Sequence, residues 1–515
     1  LATTIGSLFA QLRRRNVFKV AVAYVVVAWL LIQAATTVLP NLGLPPWTST
    51  LVIVLVALGF PIALVFAWAH SLPLQDEPTI SAEPAERATT ESLPSATSAE
   101  ASASIAVDVT TGERDDAERE NRPSVAVLPF LNMIGDPAQE YFADGMTEDL
   151  ITDLSKLSGL CVIARNSSFT FKGQAVDVRE AAQTLGARYV IEGSVRKAGE
   201  RVRINAQLID AESGTHVWAE RYDGELAEVF DLQDEILDKI VSALQVSLNI
   251  GEKTRLESRM TADLAAYDLF LKGRNERVRG TSESMAAALE LLEQAVALDP
   301  GFAAAHAHLS EMRMARAMST YDPEEFDACL RDSLQAAETA VACDGSLGLA
   351  HAFLGWSQIW LRYYDEAMAS FERAEALAPN DIEVLAHYAQ SLNYVGEPER
   401  ALTMFDLAAR LDPLLPPILR FGRGVSLFLL NRTGEALDVF RAVAHLMPGF
   451  LPPQHFLAAV LSELGRDEEA KAIAAELRNL RGPFAARQLL RRVPIRDRVV
   501  RERISAAFQA AGLLD

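Results

Sequence analysis

Residues 348–381 read GLAHAFLGWSQIWLRYYDEAMASFERAEALAPND, and the pattern inside this stretch decides how the second half of the chain folds. Leu354-Gly355 comes first, then Ala367, Phe371 and Ala374, and Pro379 closes the unit. The following residues repeat the pattern at a spacing of 34, with Tyr388-Ala389, Ala401, Phe405, Ala408 and Pro413. A third copy, one residue longer, carries Ala436, Phe440, Val443 and Pro448, and a fourth carries Leu457-Ala458, Ala470, Ala474 and Leu477. Upstream, Ala288, Leu292, Ala295 and Pro300 mark another copy. A degenerate one, with an insertion around Met318 to Phe326, fills the gap to Cys343-Asp344-Gly345. Small residues let two helices of a hairpin approach closely, an aromatic fills the space between hairpins, and proline ends the second helix. Each hairpin leaves an apolar face bare until its neighbour covers it, so residues 251–480 are expected to stack into an all-α superhelix.

The period and residue types are those of tetratricopeptide repeats, in five or six copies. Their concave grooves hold peptides or extended protein segments, so a protein or peptide partner is expected there. The repeat positions themselves are structural. Beyond them, residues 481–515 read as a C-terminal cap with an amphipathic helix from Arg498 to Leu513. Arg487, Arg491, Arg492, Arg496, Arg498 and Arg501 make this end basic, either as a solvated cap or as a patch for an acidic partner or lipid headgroups.

Between residues 122 and 250 the pattern changes to short β-branched runs separated by amphipathic helices. Ser124-Val-Ala-Val-Leu-Pro-Phe130 reads as a buried strand, and Phe142 to Leu157 as a helix with Leu150, Ile151, Leu154 and Leu157 at helical spacing. Cys161 to Ala164 is a second strand, and Val178 to Leu185 a short helix ended by Gly186. Tyr189–Val195, Val202–Ile209 and His216–Arg221 are three more strands, joined by turns at Ala198-Gly199 and Ser213-Gly214. Glu228 to Leu248 closes the domain as a long helix. The order β-α-β-α-β-β-β-α predicts a small α/β domain with a mixed sheet.

No phosphate-binding GxxxxGK[ST] loop, HExxH or nucleophile elbow occurs in this domain, so no catalytic, cofactor-binding or metal-binding residue is assigned. Asp144-Gly145-Met146-Thr147 reads as a helix start. Glu148, Asp149 and Asp153 follow it, would repel an anion and complement the helix dipole themselves. Arg165-Asn166-Ser167-Ser168 follows a strand end and reads as a turn, although α/β ligand sites also lie at such ends. Trp218 and Tyr222 read as core or edge packing. His306 and His308, two apart on a helix, face different ways and are no metal pair. Glu324-Glu325 and Asp467-Glu468-Glu469 read as solvated faces or loops. Cys161, Cys329 and Cys343 form no CxxC pair and read as small buried apolar residues.

Toward the N-terminus the composition changes again. Residues 71–121 are rich in Ser, Ala, Thr, Glu and Pro and predict a disordered linker with a reach of roughly 40 Å. Val20 to Leu39 and Leu51 to Ala69 are uncharged runs, each long enough for a bilayer core, so residues 17–70 are expected to form a transmembrane helical hairpin in contact with lipid. Arg13, Arg14, Arg15 and Lys19 place the N-terminal residues 1–16 in the cytoplasm, and two crossings return the chain there. A cleaved signal peptide or twin-arginine signal fits less well, because the apolar run is too long. The formal charge of −21 over 515 residues argues against a nucleic-acid partner.

Four stretches resemble a known family. SVAVLPF (124–130), EYFADG (140–145), IARNSSF (163–169) and YVIEGSV (189–195) are similar to the TolB-like amino-terminal domain of bacterial membrane proteins that also carry tetratricopeptide repeats. LRRRNVFKVAVAY (12–24) and GFPIA (59–63) are similar to that family's membrane segment. The resemblance implies an architecture and no common chemistry. Some relatives carry a class III adenylate cyclase or a winged-helix domain in place of the hairpin, and only about sixteen residues precede the first span here. Without such an output domain, the chain is expected to be a non-enzymatic, membrane-anchored interaction scaffold in the bacterial inner membrane. The alternative is a receptor whose α/β domain binds a small molecule and whose repeats relay to a separate enzyme. The oligomeric state is open.

Overall fold

The computed structural model describes residues 122–514, apart from 175, 257–259, 321 and 482–484. The N-terminus at 1–16, the hairpin at 17–70 and the linker at 71–121 lie outside the described residues. Among the described residues no helix is long and apolar enough to cross a membrane.

Strand β1 (Ser124–Val127) is flanked by strands on both edges and by helices on both faces, which is why Val125, Ala126 and Val127 are all buried. It pairs in parallel with β3 (Cys161–Val162) on one side and β4 (Tyr189–Ala198) on the other. β4 pairs antiparallel with β5 (Arg201–Asp210), and β5 with β6 (Thr215–Glu225), giving the order β3-β1-β4-β5-β6. A short β2 (Leu131–Asn132) runs parallel to the far half of β4. The sheet is therefore mixed: parallel where helices return the chain, antiparallel where the glycine turns do. Gly193 in β4 has no room for a side chain, since a Cβ would lie 2.5 Å from Asn205 O and 3.0 Å from the Phe130 ring.

Helices α1 (Glu140–Ser155) and α4 (Val229–Ala243) cover the face that carries Val125 and Val127. The short α2 (Arg165–Ser168) follows β3, and α3 (Val178–Leu185) packs Leu185 with Ala126, Ile163 and Ala187 on the opposite face. Two elements differ from the sequence reading. Arg165–Ser168 is a helical turn and not an open one, and Phe142 is already inside a helix that begins at Glu140.

A bridging helix α5 (Ile250–Leu256) leads into six antiparallel hairpins among the described residues. They are α6 (Leu264–Arg279) with α7 (Ser282–Leu298), α8 (Ala303–Ser319) with α9 (Pro323–Cys343), and α10 (Gly348–Trp360) with α11 (Tyr364–Leu377). α12 (Ile382–Val395) with α13 (Pro398–Leu411), α14 (Pro417–Leu429) with α15 (Thr433–Leu446), and α16 (Pro452–Glu463) with α17 (Asp467–Arg481) complete them. Buried phenylalanines 371, 405 and 440 recur at one repeat position. In the degenerate copy the extra residues lengthen α9 to 21 residues instead of forming an inserted loop.

Helices α18 (Ala485–Arg492) and α19 (Arg498–Ala510) close the chain. α19 caps the last hairpin, burying Val500, Ile504 and Phe508. The basic residues here are mostly engaged. Arg492 donates to Thr320 O at 2.8 Å, Arg496 pairs with Asp365 at 2.6 Å, and Arg503 reaches Glu463 at 3.0 Å. They fasten the cap to earlier hairpins, while Arg498 stays largely exposed on its outer side.

Candidate functional site

The α/β domain packs against the first hairpin, and α1 makes the contact with α6. A mid-helix glycine costs roughly 1 kcal/mol against alanine, yet Gly145 stands in the second turn of α1. A Cβ there would meet Leu271 Cδ2 at 2.6 Å, so any side chain at this position requires the buried Leu271 to shift. Its neighbours continue the fit. Tyr141 donates to Asp268 at 2.5 Å, Lys197 of β4 pairs with the same carboxylate at 3.3 Å, and Arg274 Nη2 donates to Gly145 O at 3.0 Å.

Glu148 and Asp149 do not complement the helix dipole as the sequence suggested; they face a row of arginines. Asp149 accepts from Arg274 Nη1 at 2.8 Å and from Tyr267 at 2.5 Å. Glu148 accepts from Arg165 Nε at 2.9 Å and lies 3.9 Å from Arg277, which also binds Glu311 at 2.7 Å and Glu383 at 2.9 Å. Arg165, Glu148, Arg277, Glu311 and Glu383 thus chain α2, α1, α6, α8 and α12 together. Burial opposes ionisation of Glu148, but Arg274, Arg165 and Arg277 outweigh it and hold the carboxyl at about 2. At Asp149 burial wins, and its pKa is raised despite Arg274 and Tyr267. Asp381, which caps α12 by accepting from Glu383 N at 2.8 Å, is pushed up to about 6 by burial and by the Glu383 charge.

The second contact is made by α2. Ala164 N donates to Leu411 O at 2.7 Å, Ser167 Oγ donates to Asp412, and Leu414 N donates to Ser167 Oγ at 2.9 Å. Asn380 Nδ2 donates to Leu157 O at 2.8 Å between these two contacts. Asn166, Ser167 and their neighbours are therefore not a free turn: they grip the end of α13, and Arg165 and Asn166 also line a cavity beside it.

Between the domains lies a cavity of about 280 Å³. Glu148, Thr152 and Arg165 line it from the α/β side, and Arg274, Arg277, His308 and Glu383 from the repeats. His308 is buried and bonds Glu311 at 3.2 Å, while His306 bonds Pro300 O. Trp218 packs partly buried against the α/β core and Tyr222 is buried in it. Cys329 is buried, Cys161 is partly so and Cys343 is exposed, so the reading of all three as buried fails at Cys343. Among the described residues no group of His, Cys, Asp and Glu could hold a metal ion. Sequence reasoning missed this cleft. The available signal was a pair of arginines, 274 and 277, on an inner repeat helix, facing an acidic pair on a helix whose other face is apolar.

Comparison with known proteins matches residues 120–240 to the second domain of HilA/YgeH-like transcriptional regulators. A protein described as putative adenylate cyclase 3 from Rhizobium meliloti (strain 1021) is 49% identical over 246 residues, covering 48% of this chain. The chain spans 42% of that relative's length. The repeats are similar to a thermophilic tetratricopeptide protein of Thermus thermophilus, at 18% identity and a TM-score of 0.31 over 38% of this chain and 99% of that one. Pseudomonas aeruginosa pilF is similar at 17% identity and a TM-score of 0.33 over 42% and 92%. These two likenesses decide nothing about what the array binds.

Proposed function

We propose that the protein is a non-catalytic, membrane-anchored interaction scaffold whose α/β domain is a built-in occupant of the repeat groove. The observation that carries this reading is the seating of α1. Tyr267, Arg274, Arg277 and Glu383 on the inner helices are spent on, or chained to, residues of the same chain, so a protein partner has to use the rest of the repeat surface or displace the α/β domain. The most strongly shifted carboxylates are tied up in that contact. Two uncharged runs in residues 17–70 support the membrane anchor, with the described domains on the cytoplasmic side. The TolB-like motifs fit this assignment, since EYFADG is the stretch that meets the repeats.

A second reading has support of its own: a ligand-sensing module. The cavity between the domains has walls from both, and the matched segments belong to proteins named for two different outputs, transcriptional regulation and nucleotide cyclisation. Likeness to proteins named for different outputs suits a regulatory role. Cross-linking in native membranes tests the scaffold. Gly145→Val crowds Leu271 and disturbs the α1–α6 contact, and the partner cross-linked by the wild type is expected to change in yield at least about fivefold. An identical set of cross-linked partners in identical yield would remove the groove contact from the proposal.

A further inference from the structure

The walls of the interdomain cavity hold unused donors. Among the described residues, the Nε–H groups of Arg255, Arg274 and Arg277 are buried with no hydrogen-bond acceptor, and all three arginines line the cavity. Arg274 is 5% exposed, and its Nε stands 3.6 Å from Glu148, beyond hydrogen-bond reach. A buried donor without an acceptor costs about 1–3 kcal/mol, so three of them in one cavity call for a cause.

The carboxylates lining the cavity are occupied. Glu148 is held by Arg165, Asp149 by Arg274, Glu383 by Arg277 and Asp153 by Lys156. Asp344 accepts from Ser346 N, and Asp381 from Glu383 N. Two long helices also begin at the wall: Ala303 and Ala304 of α8, and Leu347 and Leu349 at the start of α10. Neither has a side-chain cap, since their N-cap residues are Phe302 and Leu347. Their first amides and positive dipole ends favour an anion.

We propose that this cavity binds a small metabolite carrying a carboxylate or phosphate, its oxyanion set among Arg255, Arg274 and Arg277 near the uncapped starts of α8 and α10. The oxyanion supplies the acceptors these donors lack and forms charge-assisted hydrogen bonds with them. A cavity of about 280 Å³ matches a metabolite and is too small for a folded segment. The bound molecule touches both domains and so tightens their contact. The proposal rests on the ligand-sensing reading, and it is independent of the cross-linking outcome, which is obtained with no added anion.

The test is thermal melting of the full-length chain in detergent with inorganic phosphate or citrate, against sodium chloride at equal ionic strength. A saturable rise on the order of a few degrees is expected for at least one of the two anions at hundredfold excess over its Kd. Phosphate alone would mark a phosphate ligand and citrate alone a carboxylate. Two variants localise the effect. Arg255→Gln removes one donor from a side chain whose hydrogen bond to Lys156 O is a long one, at 3.4 Å. Ala304→Phe fills the cavity without altering a charge. Both should melt normally in chloride and lose the rise. A rise no larger than that of chloride for both anions, or one that persists in both variants, would overturn the site.

Discussion

Arg274 and Asp149 are almost fully enclosed and form a salt bridge with each other. Removing one partner strands a buried charge, so Arg274→Met is expected to destabilise the chain by about 3–5 kcal/mol. Asp149→Leu combined with Arg274→Met should recover most of that loss, and a double-mutant cycle read by melting temperature checks it. Asp381 responds to pH in the opposite sense from Glu148. Its folded pKa of about 6 lies above its ordinary 3.8, so its contribution is full below about pH 4 and lost as pH rises through 6. Asp381→Asn should therefore melt above wild type at about pH 7 and level with it at about pH 4.5. Glu148, held at about 2, contributes above its ordinary 4.5 and loses that contribution as pH falls toward 2. None of this was legible from the residues alone. Glu148 and Asp149 look like dipole partners until the arginines 125 residues away are folded beside them.

The helical hairpins were readable because their small and aromatic residues recur at 34 positions and each does the same local job. The 3.6 and 2.0 periods likewise marked α1 and the strands. What escaped was α2, a single turn of four residues held by tertiary bonds and not by its own propensity. Ser167→Ala is expected to release its end of the contact: the amides of Ala164 and Leu414 should exchange with deuterium at least tenfold faster, with the β4 and β5 amides unchanged. At α1, Gly145→Val adds bulk where Leu271 already sits 2.6 Å from an ideal Cβ, and overpacking of this kind costs about 1–3 kcal/mol. A melting curve shifted downward by that amount, with helix content retained, is the expected result.

Among the described residues, six hairpins, a mixed-sheet domain and a basic cap belong to one compact unit. Composition and period were enough to lay out the α/β and repeat architectures, but not to place the α/β domain against the repeats, because docking depends on pairs distant in sequence. The membrane arrangement is open to a direct check. Reporters active on one side of the bilayer, fused after Asn121 and after Asp515, are expected to report the cytoplasm at both positions, and a periplasmic signal at both would reverse the proposed topology.

The arginines at the C-terminal end have a mechanical consequence. A repeat array touches only its neighbours and can fray one unit at a time from either end. Here Arg362 holds Arg491 O across 129 residues of chain, and Arg492 holds Thr320 O across 172. These clasps tie the tail to the second and third hairpins, so the last ones cannot peel away while the clasps hold. Under tension applied at residue 515 the array should resist to one high force and then give way in a single large step, where an unclasped stack would yield in a staircase of small ones.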